Sequence, residues 1–198
     1  MSIFVVDNNI FSHSLRSLSL DVFTSDIYEP WSNGMKNGTI ISVDEVYREL
    51  DKKWGQEASP DPITKKDKRT NEAKWIKNHK NAFLPLTNDE GKIVAEIFKH
   101  KKFREGVKEI SLRAGSPEAD AILVAKAKCI GGIIITAENN NKPNADKIPN
   151  ICVALGVPYI TRDDFYRILR NISKDNPMLD NVTVWHTLQI EKEDVLFE

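Results

Sequence analysis

At 198 residues with a formal net charge of -1, the chain is long enough to bury roughly 70% of its unfolded surface in one core, and its charge balance excludes a strong global attraction for nucleic acid. Hydrophobic residues make up 40% and charged residues 29%, ordinary for a soluble globular protein; no apolar run nears the ~20 residues of a membrane span, and the signature of a signal peptide is missing. Cys129 and Cys152 lie in apolar stretches without ligand spacing, so both are expected as buried free thiols in a reducing cytoplasm.

The first predicted strand is Ile3–Val6 in "IFVVDNNIF", a continuous apolar run of the kind that forms a central parallel strand. Asp7 ends it abruptly. Asn8 and Asn9 are expected caps for a helix running from about Ile10 into the twenties. "GTIISV" (Gly38–Val43) is the second strand, and Asp44 is the expected cap of the helix "EVYREL". On that helix Val46 and Leu50 share one face while Glu45 and Glu49 share another.

From about 51 to 112, Trp54, Trp75, Ile76, Phe83, Leu84, Ile93, Val94, Ile97 and Phe98 have helical spacing among many charges. The expectation is a helical insertion covering the sheet, broken by an exposed loop at Pro60–Thr70. Strand–helix alternation then resumes. Ser116 and Pro117 open the helix "EADAILVAKAKCI"; "GGIIIT" (Gly131–Thr136) is a buried strand; "IPNICVALG" is a short helix closed by Gly156; "VPYI" (Val157–Ile160) is the last strand, and "RDDFYRILRNI" the helix after it. The alternating tail "NVTVWHTLQI" is left unplaced. The expected fold is therefore α/β, a three-layer α/β/α sandwich on a mostly parallel sheet, with residues 1–170 as the domain and 171–198 as a C-terminal extension.

Ligands of open α/β sheets bind beyond the carboxyl ends of the strands, where strand order reverses. Four carboxylates fall there, one from each of four βα units: Asp7 after the first strand, Glu49 on the helix after the second, Asp120 near the start of the alanine-rich helix, and Glu138 just past "GIIIT". Clustered carboxylates repel one another, and burying them costs several kcal/mol each unless positive charge sits among them. Magnesium and manganese supply such charge and favour oxygen ligands. A carboxylate-held metal commonly serves phosphodiester hydrolysis. The sequence has no P-loop, no G-x-S-x-G elbow and no His/Cys metal spacing.

The order "FVVDNN", "SVDEVYREL", "EADAILVAKA", "IIITAEN" resembles the PIN domain, a family of magnesium- or manganese-dependent ribonucleases with many members that are toxins of toxin–antitoxin pairs. The resemblance covers most of the chain, with 51–112 and the tail as additions. It implies that Asp7, Glu49, Asp120 and Glu138 hold the metal and carry catalysis, that Asn9 supports Asp7, and that Thr136 ends the strand bearing the fourth acid. At that last position Glu stands where the family usually has Asp. "TRDDF" (Thr161–Phe165) matches the familiar form of this motif better, but it follows the next strand; chain order favours Glu138 and leaves Asp163 and Asp164 as helix caps.

Each of these residues also has an ordinary reading. Asp7 could cap a helix, Glu49 could be an exposed helix carboxylate with Glu45 as the site residue instead, and Glu118 answers to the helix dipole. Lys65, Lys66, Lys68 and Arg69, and the run "KHKKFR", could bind an RNA backbone or be solvated faces. Trp31, Trp54 and Trp75 could stack on bases, although core packing explains them as well. The leading expectation is a Mg²⁺- or Mn²⁺-dependent endoribonuclease, the toxin of a toxin–antitoxin pair, with RNA as substrate, an antitoxin protein as partner, a homodimer as an open option and no membrane. The alternative is a PIN-like binding module without catalysis. A phosphatase or receiver-like domain would need an Asp-x-Asp motif or a lysine ending a late strand, and neither is found at the matching positions.

Overall fold

The computed structural model describes residues 2–55, 70–100, 103, 118–138 and 147–172. Five parallel strands form one sheet: β1 (Phe4–Val6), β2 (Ile40–Val43), β3 (Phe83–Leu84), β4 (Ile133–Thr136) and β5 (Tyr159–Thr161), in the order β3-β2-β1-β4-β5. All of β1, β2 and β4 is buried, which is why those strands read as unbroken apolar runs. The register pairs Val5 with Ile41 on one side of β1 and with Ile134 on the other. The chain winds outward from β1 to β3, then returns across β1 to start β4. The reversal point thus lies between the carboxyl ends of β1 and β4.

The helices follow their strands: α1 (Asn8–Ser17), α2 (Glu29–Asn37), α3 (Asp44–Leu50), α4 (Asn71–Asn78), α5 (Asn88–Lys99), α6 (Glu118–Ile130), α7 (Ile148–Leu155) and α8 (Arg162–Ile172). Helix α6 runs across one face against β1, β2 and β4, flanked by α5 and α7. Its residues from Ala121 to Ala127 are all buried, and the four alanines of this helix let it lie close to the sheet. The other face carries α2 and α8, joined where Trp31 meets Phe165 edge-on at 5.1 Å. Phe11 packs on Trp31 at 5.0 Å and on Phe83 at 5.3 Å, each ring pair adding about 0.5–1.5 kcal/mol beyond burial. The architecture is a three-layer α/β/α sandwich.

Several elements differ from the sequence expectation. Phe83–Leu84 is a parallel edge strand, pairing Ser42 with Phe83 and Val43 with Leu84, and not part of a helix; an isolated apolar pair carries no period of its own. The helix expected from Ile10 into the twenties starts earlier, at Asn8, and stops at Ser17; a π-helical turn (Thr24–Tyr28) and α2 follow. Asp7 occupies the N-cap position of α1, and α3 begins at Asp44 itself. Gly156 closes α7 at φ 63°, in the left-handed region that favours glycine. Cys129 is exposed, against the expectation for both cysteines, because α6 runs beyond the packed layer after Ala127. Ser116, Pro117, the loop expected at Pro60–Thr70 apart from Thr70 itself, and the tail beyond 172 lie outside the described residues.

Candidate functional site

The β1–β4 pairing continues into the first site residue, since the Asp7 N–H donates to the Ile135 carbonyl at 3.0 Å. This carries the Asp7 side chain to the reversal point and buries it to 4% exposure. Thr136, at the end of β4, donates its hydroxyl to Asp7 Oδ2 at 3.0 Å and accepts the Glu138 N–H at 3.2 Å. One hydroxyl therefore ties the first carboxylate to the backbone of the fourth. Burial pushes the Asp7 pKa up to about 7; the Thr136 hydroxyl acts against this, the Glu138 charge adds to it, and the amides of Asn8 and Asn9 oppose it.

Asp120 comes from the first turn of α6. Its carboxyl is held well above the usual range, first by burial, then by Asp7 and Glu138, with Lys147 opposing and Glu49 adding. Asp7, Glu138 and Glu49 thus all act on Asp120, and Glu138 also acts on Asp7. Cys152 of α7 lies beneath them; burial raises its thiol, with Asp120 and Asp7 adding to the shift.

Both oxygens of Glu138 are engaged. Its Oε1 accepts from Lys147 Nζ at 2.8 Å and its Oε2 from the Ile148 N–H at 3.2 Å, at the start of α7. The longer side chain explains this reach; a carboxylate at a helix N-terminus is favoured by the unsatisfied amides there. Glu49 Oε2 accepts from Asn8 Nδ2 at 2.5 Å. Glu45 instead pairs with Arg48 at 3.5 Å, and its buried Oε2 has no hydrogen-bond partner among the described residues.

Two site features were not legible in the sequence as assigned. Asn9, expected to support Asp7, acts on it through the backbone, while its buried Oδ1 has no hydrogen-bond partner among the described residues. Asn8 was read only as a cap, yet its amide reaches Glu49 because its side chain leaves α1 towards α3. The "TRDDF" segment caps α8: Thr161 donates to Asp164 Oδ2 at 2.7 Å and accepts the Asp164 N–H at 3.3 Å. Asp163 pairs with Arg162 and Asp164 with Arg167, at 3.2 and 3.1 Å.

Trp31 is fully buried, and Trp75 donates its indole N–H to Ser32 at 3.0 Å within the same aromatic cluster, so neither presents a face for stacking. Trp54 is half-buried, with Lys53 Nζ 5.8 Å from its ring centre. Lys65, Lys66, Lys68 and Arg69 lie outside the described residues. Among the described residues, no three Asp, Glu, His or Cys side chains are gathered tightly enough to hold a metal ion. The donor chemistry nevertheless fits a hard divalent cation: Asp7, Asp120 and Glu49 offer oxygens only, and Asp7 and Asp120 are both raised, first by burial and then by neighbouring carboxylates. Glu138 fits less well, with both oxygens already engaged.

Residues 4–171 match the family described as "Domain of unknown function (DUF4411)", and the chain belongs to that family. The match runs from β1 into the last turn of α8. No curated protein and no solved structure matches the chain. Among the described residues, no helix is long and apolar enough to cross a membrane.

Proposed function

We propose that the chain is a PIN-like, metal-dependent endoribonuclease that hydrolyses RNA phosphodiester bonds, working in the cytoplasm as the toxin of a toxin–antitoxin pair. The observation that carries the reading is that Thr136 joins Asp7 to Glu138 by hydrogen bonds at the sheet's reversal point, and that burial, followed by the charges of Asp7, Glu138 and Glu49, raises the Asp120 carboxyl. A fold gains nothing from such an arrangement unless something positive is brought to it. RNA as substrate, and the toxin role with its antitoxin partner, rest on the family resemblance.

In this reading Asp7 and Asp120 are the principal holders of a Mg²⁺ or Mn²⁺ ion, and Glu49 and Glu138 complete its shell directly or through water. When bound, such an ion lowers the pKa of a water and offsets charge developing on the phosphate. Thr136 fixes one oxygen of Asp7, Asn8 fixes one oxygen of Glu49, and Lys147 keeps Glu138 at the rim. The engaged state of Glu138 favours a second reading, a PIN-like binding module without catalysis.

Cleavage of a mixed single-stranded RNA by the purified full chain, with Mn²⁺, with EDTA and as Asp120→Asn, separates the two. Hydrolysis that needs metal and vanishes in the variant supports the nuclease. A folded protein that cleaves under no condition supports the binding module, and equal cleavage by Asp120→Asn removes Asp120 from the site.

A further inference from the structure

A polar chain outside the four acids joins α1 to α3. Lys53 Nζ donates to Ser12 Oγ at 3.0 Å, Ser12 Oγ donates to Asn8 Oδ1 at 3.2 Å, and Asn8 Nδ2 donates to Glu49 Oε2 at 2.5 Å. Asn8 and Ser12 are one turn apart on α1; Glu49 is on α3, and Lys53 follows one turn later on the π-helical turn Asp51–Gly55. The two helices follow neighbouring strands, so the chain spans the gap between the first and second βα units.

The ends of this chain determine its direction. A lysine ammonium only donates hydrogen bonds, and an ionised carboxylate only accepts them. Ser12 accepts from Lys53 and donates its hydroxyl hydrogen to Asn8, which holds Oδ1 towards Ser12 while Nδ2 faces the carboxylate of Glu49. An isolated asparagine has no such preference, since its oxygen and nitrogen differ little in shape. Successive bonds pointing one way also polarise one another.

We infer that Ser12 and Lys53 are positioning residues that aim the Glu49 carboxylate at the acidic edge by fixing the orientation of the Asn8 amide. The Glu49 charge is felt at Asp120, so the aim of this side chain bears on the group at the centre of the site. The inference rests on the metal-binding reading for its functional consequence, but the orientation of Asn8 is a separate matter with its own readout.

Mn²⁺ is the probe. Titrated into the full chain, Ser12→Ala and Lys53→Met each weaken Mn²⁺ binding by about 3–10-fold, below the 10–100-fold typical of direct partners of a ligand. The double variant binds no more weakly than Ser12→Ala alone, because the chain is already cut; independent sites would add. Ser12→Thr, which keeps the hydroxyl, restores binding. The side-chain amide protons of Asn8, identified by their loss in Asn8→Ala, shift in Ser12→Ala. A packing clasp between helices would lower Tm without this non-additive pattern or the rescue. Unchanged Mn²⁺ affinity in Ser12→Ala, with affinity lost in Glu49→Gln, overturns the inference. Should Glu49→Gln also bind Mn²⁺ like wild type, the metal reading of Glu49 fails. The Asn8 amide then decides alone, and an unmoved resonance in Ser12→Ala overturns the positioning role.

Discussion

Helix α6 carries a buried lysine and a half-buried aspartate, and the protein treats them in opposite ways. Lys126 is 3% exposed and faces Glu90 of α5, itself 4% exposed, at 2.8 Å. The ammonium also donates to the Pro85 carbonyl at 3.1 Å, and Glu90 Oε2 accepts the Thr87 N–H at 2.9 Å within the capping box of α5. Every charge there has an opposite partner and its hydrogen bonds. Asp120, six residues earlier on the same helix, meets three other carboxylates and one opposing lysine. The first arrangement locks the insertion helix to the core. The second gathers carboxylates at the edge where α/β sheets bind ligands, which makes them a candidate functional site.

The largest effect should come from breaking the satisfied pair. Lys126→Met leaves Glu90 buried without an opposite charge and should cost about 3–5 kcal/mol, read as a fall in Tm on the order of 10 °C. Lys126→Met combined with Glu90→Leu should regain most of it. A wild-type Tm for the single variant would make the pair structurally idle. At the acidic edge the contrast is in activity: Asp120→Asn should lower RNA cleavage at least about 100-fold, more than loss of an outer partner of a metal ligand, while leaving Tm unchanged or higher.

Asp7 gives a pH-dependent version of the same contrast. Its pKa of about 7 in the fold, against an ordinary 3.8, means that the folded state holds the proton more tightly. Stability in the absence of metal therefore falls as pH rises from about 4 to 7, and the full penalty stands above 7. Asp7→Asn should flatten that slope and, near pH 8, stabilise the metal-free protein by about 1–3 kcal/mol; urea unfolding at pH values of about 5 and 8 measures both. The smallest effect is expected at Lys147, whose side chain is 47% exposed. Lys147→Gln should change stability by less than about 1 kcal/mol. By releasing Glu138 and removing a like charge, it should tighten Mn²⁺ binding roughly 2–5-fold, as calorimetry would detect.

What could be read from the sequence was whatever local pattern expresses. The apolar runs of β1, β2 and β4 signal buried parallel strands, and their order brings the ends of β1 and β4 to a reversal point, so Asp7, Asp120 and Glu138 were legible as a group. Gly156 marked the end of α7 for a backbone reason that acts within a few residues. The rest depends on distant partners. Lys126 sits inside an apolar helix, and only Glu90, from an element 36 positions away, makes it intelligible. The two residues of β3 become a strand through Ser42 and Val43 beside them. Asn8 turned from a cap into a partner of Glu49 because α3 folds against α1.

The proposed binding of a divalent cation at the acidic edge is open to a direct test, the effect of Mn²⁺ on Tm. The metal-stripped full chain, as wild type and as Asp120→Asn, would be unfolded thermally at pH values of about 8 and 5, with and without Mn²⁺. Mn²⁺ well above its Kd should raise the wild-type Tm by about 5–10 °C at the higher pH and far less at the lower, where protons occupy the same carboxylates, with the shift lost in Asp120→Asn. No shift at the higher pH, or an equal shift in Asp120→Asn, would contradict the account.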